Sequence, residues 1–183
     1  MTTRISVPLS EVDEDFLRRL KEQYPDHTRL DIQLVDLDSV PSFNETVFWE
    51  IIDQLDLDAN AYEATLTPAI QALAQRPVSD IYLFEDMLSE KLHQLDTKLH
   101  AQAAYPNGRV SVDGFLYVRA AVVAGGKTRF QAVIANPELM PQEESFEALL
   151  SLAARAFEQK TGETFDYLPP VDYETYANES GWK

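Results

Sequence analysis

Ser111-Val112-Asp113-Gly114-Phe115-Leu116-Tyr117-Val118-Arg119-Ala120-Ala121-Val122-Val123-Ala124-Gly125-Gly126 decides how the rest of the chain must be arranged. Between Asp113 and Gly125 the only charge is Arg119, and apolar side chains fall on every side of the helical period. A helix with no polar stripe is stable only when other elements surround it, so this segment is expected at the centre of the core. A guanidinium carried into that centre loses its water and needs acceptors or a polar cavity in exchange. The glycine pair 125-126 stops the helix.

The segments on either side supply the surrounding layer. Val47, Phe48, Ile51, Ile52 and Leu55 form an amphipathic stripe, with Ser42 or Asn44 as its cap. A weaker helix is expected from about Ala61 to Gln75, restarted at Pro68 behind a Thr67 cap. The longest helix is expected from Ser79 to about Ala103, burying Ile81, Phe84, Leu88, Leu92, Leu95 and Leu99 before the turn Tyr105-Pro106-Asn107-Gly108. After the arginine helix come a short helix from about Lys127 to Ala135 and a last one carrying Phe146, Leu149, Leu150, Ala153 and Phe157, which ends at Thr161-Gly162.

The fold class is therefore mainly α, a compact bundle of about six helices over residues 41–163. Residues 1–40 read as a small strand-helix-strand appendage. Residues 4–9 alternate through Ile5, Val7 and Leu9, and Leu30, Ile32 and Leu34 repeat the alternation around a helix bearing Val12, Phe16, Leu17 and Leu20. Residues 164–183 hold Pro169-Pro170, Tyr167, Tyr173, Tyr176 and Trp182, and read as an irregular acidic and aromatic tail that packs through its rings.

Asp113-Gly114-Phe115-x-Tyr117-x-Arg119 resembles the signature of a bacterial family catalogued as domain of unknown function 4240. The flanks fit in order: Phe48-Trp49-Glu50-Ile51-Ile52-Asp53 before it, Asn136-Pro137-Glu138 after it, then Phe146-Glu147-Ala148-Leu149-Leu150 and Lys160-Thr161-Gly162-Glu163. The similarity covers roughly residues 44–163. Val112 stands where that pattern usually has a second acid, and the tryptophan that often follows Arg119 is absent. The resemblance implies a fold and brings no activity with it.

With 31 acidic against 15 basic residues the formal charge is −16, which repels phosphate backbones and anionic lipid surfaces. Neither nucleic acid nor membrane is expected as a partner, and another protein, one with a basic surface, fits better. The sequence has no cysteine, so disulfides, thiol nucleophiles and thiolate zinc sites do not arise. No apolar run approaches the ~20 residues of a membrane span, and the expected location is cytoplasmic.

Two constellations could carry chemistry. Asp113, Tyr117 and Arg119 could form an anion-binding pocket. In the structural alternative Asp113 caps the helix and Arg119 pairs with Asp86, Glu85 or Glu147. His93, Asp96 and His100 share one flank of the long helix and form the metal candidate, although the two histidines lie ~10.5 Å apart by helical rise and no second Glu-x-x-His helix exists. Gly125-Gly126-Lys127-Thr128 lacks the leading glycine of a phosphate loop and reads as a helix stop. No cofactor and no catalytic set is expected. The leading reading is an immunity- or regulator-like protein-interaction module without catalysis, and the alternative is an enzyme or small-ligand binder using Arg119.

Overall fold

The structure, a computed structural model, describes residues 12, 14–24, 43–57, 59, 62–142 and 144–183. The chain divides into two units, residues 1–38 and 39–183. In the first, α1 (Glu14–Gln23) half-buries Phe16 and Leu20 and leaves Leu17 exposed. The strands expected at residues 4–9 and 30–34 lie outside the described residues.

The described part of the second unit is built from helices as far as Thr161, and three of them begin at side-chain caps. Asn44 starts α2 (Glu45–Ile52), its side chain accepting from the N–H groups of Thr46 and Val47 at 2.9 and 3.1 Å. Phe48 of α2 meets Phe84 at 5.0 Å between ring centroids and Trp49 meets Phe130 at 5.4 Å, so this aromatic set is core.

Next, α3 (Tyr62–Ala74) runs unbroken through Pro68. The restart expected there does not occur, because the carbonyl that Pro68 orphans belongs to exposed Ala64, where water can satisfy it. Thr67 does not cap; its hydroxyl donates back to the Glu63 carbonyl at 2.6 Å.

The expected long helix is two helices, α4 (Val78–Leu95) and α5 (Lys98–Ala104). Asp96 leaves helical geometry at ψ 70, and Thr97, extended at φ −130 and ψ 157, caps α5 by accepting from His100 N–H. The break turns Leu99 outward, so it is 65% exposed and not part of the buried stripe.

The arginine helix, α6 (Val112–Ala124), is capped by Ser111, whose hydroxyl accepts from Gly114 N–H at 3.2 Å. Asp113, expected as the cap, lies exposed within the first turn, where its charge faces the positive end of the helix dipole. Phe115, Leu116 and every residue from Val118 to Ala124 are buried, as a helix without a polar face demands.

After the glycine pair comes α7 (Gly126–Ala135), and a 3-10 turn over Glu147–Ser151 leads into α8 (Leu152–Thr161). Gly162 ends α8 at φ 74, a left-handed position that suits glycine. Eight α-helices are thus present among the described residues.

Helix α6 packs against α4, α5, α7 and the 3-10 turn, and α8 covers α3 and α4. Phe115, Leu116, Val118, Val122, Leu88, Leu92, Phe146 and Leu149 are buried in one core, while Leu150, expected there too, packs against it half-buried. Residues 163–183 contain neither helix nor strand. Phe165 and Tyr167 pack on Tyr82 at 5.6 and 4.8 Å, and Trp182 meets Phe115 edge-on at 6.2 Å. No described helix is long and apolar enough to cross a membrane.

Candidate functional site

The α4–α5 break sets up the site. A helix end leaves its last carbonyls without intrahelical donors, and the break exposes such carbonyls deep in the body. Arg119, fully buried on α6, supplies what is missing. Its Nη1 donates to Leu92 O and to Tyr173 O, both at 2.9 Å, and its Nη2 donates to Thr175 Oγ1 at 3.0 Å. The Thr175 hydroxyl in turn donates to Val112 O at 2.7 Å. The guanidinium carbon lies 4.9 Å from the centre of the Phe115 ring, and Nε is buried without an acceptor. Burial pulls the Arg119 pKa down to about 10, opposed by the charges of Asp96 and Glu174, so the group stays cationic at neutral pH.

The carboxylate partners expected for Arg119 are occupied elsewhere. Asp86 accepts from the Tyr167 hydroxyl at 2.6 Å, Glu147 lies against the Tyr117 hydroxyl, and Glu85 is buried near Tyr173. Two carbonyls and a hydroxyl replace them, because a helix end and an irregular tail offer acceptors that a sequence pattern does not display.

Asp96 mirrors Arg119. It is fully buried at the break, and its carboxylate reads the same tail through donors. Oδ1 accepts from Tyr176 N–H at 3.2 Å and from Trp182 Nε1 at 3.0 Å, and Oδ2 accepts from Asn178 N–H at 3.0 Å. The Asn178 amide donates at 3.2 Å to the His93 carbonyl, which also accepts from Asp96 N–H at 3.0 Å, and Lys98 N–H donates to Gly181 O at 2.9 Å. Gly181 is required by space, since a Cβ there would lie 2.8 Å from Thr97 Cγ2 and 3.0 Å from Asp96 O. Tyr176 takes a left-handed φ of 81, with its ring 4.4 Å from that of Trp182.

The three residues of the metal candidate are each engaged separately. His93 Nδ1 donates to Asp172 O at 2.7 Å. His100 donates from Nε2 to Val133 O at 3.2 Å and accepts at Nδ1 from Thr97, a neutral arrangement that agrees with burial lowering its pKa. Asp96 is committed to the tail. Among the described residues no group of three or more His, Asp or Glu side chains is arranged to hold a metal ion.

Asp113 and Tyr117 do not join Arg119 in one pocket. Asp113 is exposed, and the half-buried Tyr117 has its pKa raised by hydrogen bonding to Glu147 first, then by burial, then by the charges of Glu147, Asp113 and Glu174. These groups make an acidic surface patch, while Arg119 is sealed beneath the tail. Sequence reading placed Asp96 in a metal candidate instead of against the tail, and missed Thr175, Asn178 and Trp182 as site residues. The adjacent Asp96-Thr97 pair, two residue types that favour helix ends and caps, was the available signal.

The model of a family described as protein of unknown function (DUF4240) matches residues 43–159. The chain belongs to that family. No curated protein and no solved structure matches. Asp96 and Arg119 fall inside the matched stretch, and the tail residues they hold fall beyond it.

Proposed function

We propose that this protein is a protein-interaction module of the immunity or regulator kind, with a basic partner surface and no catalytic role. The observation that carries the reading is the patch around Tyr117. Exposed Asp113, Glu147 and Glu174 all raise the pKa of its hydroxyl, so three carboxylates lie within electrostatic reach of one aromatic group in a chain with a formal charge of −16. Tyrosine is a frequent anchor of protein interfaces, and surrounding charge steers an oppositely charged partner into place. A cytoplasmic setting and the strand-helix-strand plan of residues 1–40 belong to the same proposal, the latter supported by the alternation at residues 4–9 and 30–34.

The test is capture of partners from the native cell with the parent chain and with Asp113→Lys/Glu147→Lys/Glu174→Lys. Loss of a captured basic protein, with an unchanged circular dichroism spectrum, supports the reading. Equal capture by both chains, or a partner insensitive to salt, removes it. The alternative, an anion pocket at Arg119, has one observation in its favour, the buried Nε without an acceptor.

A further inference from the structure

We infer that the cleft between the α4–α5 break and α6 is a receptor for a turn-forming polypeptide segment, filled in this structure by the chain's own residues 172–182, which act as a resident and exchangeable ligand. The inference does not depend on the acidic patch.

The contacts have the character of peptide recognition. The body reads the backbone: Arg119 takes the Tyr173 carbonyl, Asp96 takes the N–H groups of Tyr176 and Asn178, and Lys98 N–H takes the Gly181 carbonyl. Specificity comes from one hydroxyl, Thr175 on Arg119, and one indole, Trp182 on Asp96. The matching ligand therefore presents a carbonyl, a hydroxyl two residues later, two N–H groups one and three residues beyond that, and an indole near its end.

Three further features separate this segment from the helical body. Its own backbone bonds are local turns, such as Ala177 N–H to Glu174 O at 3.1 Å and Gly181 N–H to Asn178 O at 2.9 Å. Tyr176 adopts a left-handed conformation that tyrosine disfavours, so the site imposes the shape and the segment does not hold it alone. The connection at Leu168-Pro169-Pro170 is open, with Leu168 88% exposed.

On the body side, two fully buried opposite charges spend their hydrogen bonds on the tail, Leu92 O aside. Without an occupant both would face a cavity, which is costly enough that the cleft demands a ligand of this chemistry.

The experiment uses the full chain with a protease recognition sequence inserted between Leu168 and Pro169, cleaved after folding, and a fluorescent synthetic peptide copying residues 171–183. Expected results are retained helicity after cleavage, replacement of the resident fragment by the labelled peptide at one per body, and no binding of a scrambled peptide. Thr175→Ala in the peptide should weaken binding about tenfold, the scale of one hydrogen bond to a charged group. Asp96→Asn in the body should weaken it at least as much.

In the uncut chain the tethered tail competes at an effective concentration of ~1 mM, so the peptide binds poorly, and Thr175→Ala placed in that tail should raise its binding about tenfold. Unfolding on cleavage overturns the inference, as does failure of excess peptide to displace the fragment or equal binding of the scrambled peptide.

Discussion

Asp96 and Arg119 are fully buried, opposite in charge and close enough for Asp96 to raise the Arg119 pKa, yet they make no ion pair with each other. Each bonds a different part of the same segment, Arg119 to Tyr173 and Thr175, Asp96 to Tyr176, Asn178 and Trp182. The pair is thus bridged by a peptide. Two charges that would otherwise be expensive to bury become a reason for the tail to take one conformation.

Arg119→Met leaves the Leu92 and Tyr173 carbonyls without their donor, and stability should drop by about 2–4 kcal/mol. Arg119→Lys keeps the charge but cannot span three acceptors with a planar fork, and about 1–3 kcal/mol should be lost. Thermal melts of both variants check this. A Met variant as stable as the parent would mean that the arginine is held at a cost for binding something.

Leu92→Ala empties a fully buried position in the core that also holds Phe115 and Val122, and about 2–5 kcal/mol should be lost. An unchanged denaturation midpoint in urea would contradict the packing of α4 on α6.

Glu85 sets a pH dependence. Burial first, then the neighbouring Asp86 charge, raises its pKa from 4.5 to about 7. The folded chain therefore binds more protons than the unfolded chain between those values, so this group's contribution makes stability fall as pH rises through that interval and level off above it. At about 1.4 kcal/mol per pKa unit the span is on the order of 3 kcal/mol. His100, with its pKa lowered by burial, acts in the opposite sense, so the parent alone does not isolate the effect. The difference between Glu85→Gln and parent, measured by denaturation at each pH, should favour the variant increasingly from pH ~5 to pH ~7. A flat difference would show that Glu85 ionises without strain.

Nucleic acid should not bind. The basic cluster Arg18-Arg19-x-Lys21 lies among acids, and the formal charge is −16. A gel shift at ~150 mM salt checks this, and submicromolar retention of any oligonucleotide would sink the expectation.

The positions of α2, α6 and α8 were legible in the sequence because apolar spacing and a burial requirement govern them. Phe48, Val122 and Phe157 are buried for the reason their spacing suggests. The α4–α5 break was not legible from periodicity, since Leu95 and Leu99 continue the stripe across it. What decides it is the Asp96 carboxylate finding tail N–H groups 80 and 82 residues away, information absent from any local window. Arg119 was recognisable as a buried charge, but its acceptors are backbone atoms and a threonine, which pairing by charge does not find.

The order in which the chain is made gives the Arg119–Asp96 arrangement a temporal side. Tyr173 lies 54 positions after Arg119, and Trp182 lies 86 positions after Asp96. During synthesis α4, α5 and α6 emerge first, able to associate through their leucines and phenylalanines while both charges still lack their counterparts. Final consolidation of the helical body therefore waits on residues 173–182, which follow α8, and a chain held before they emerge would be collapsed but electrostatically unfinished.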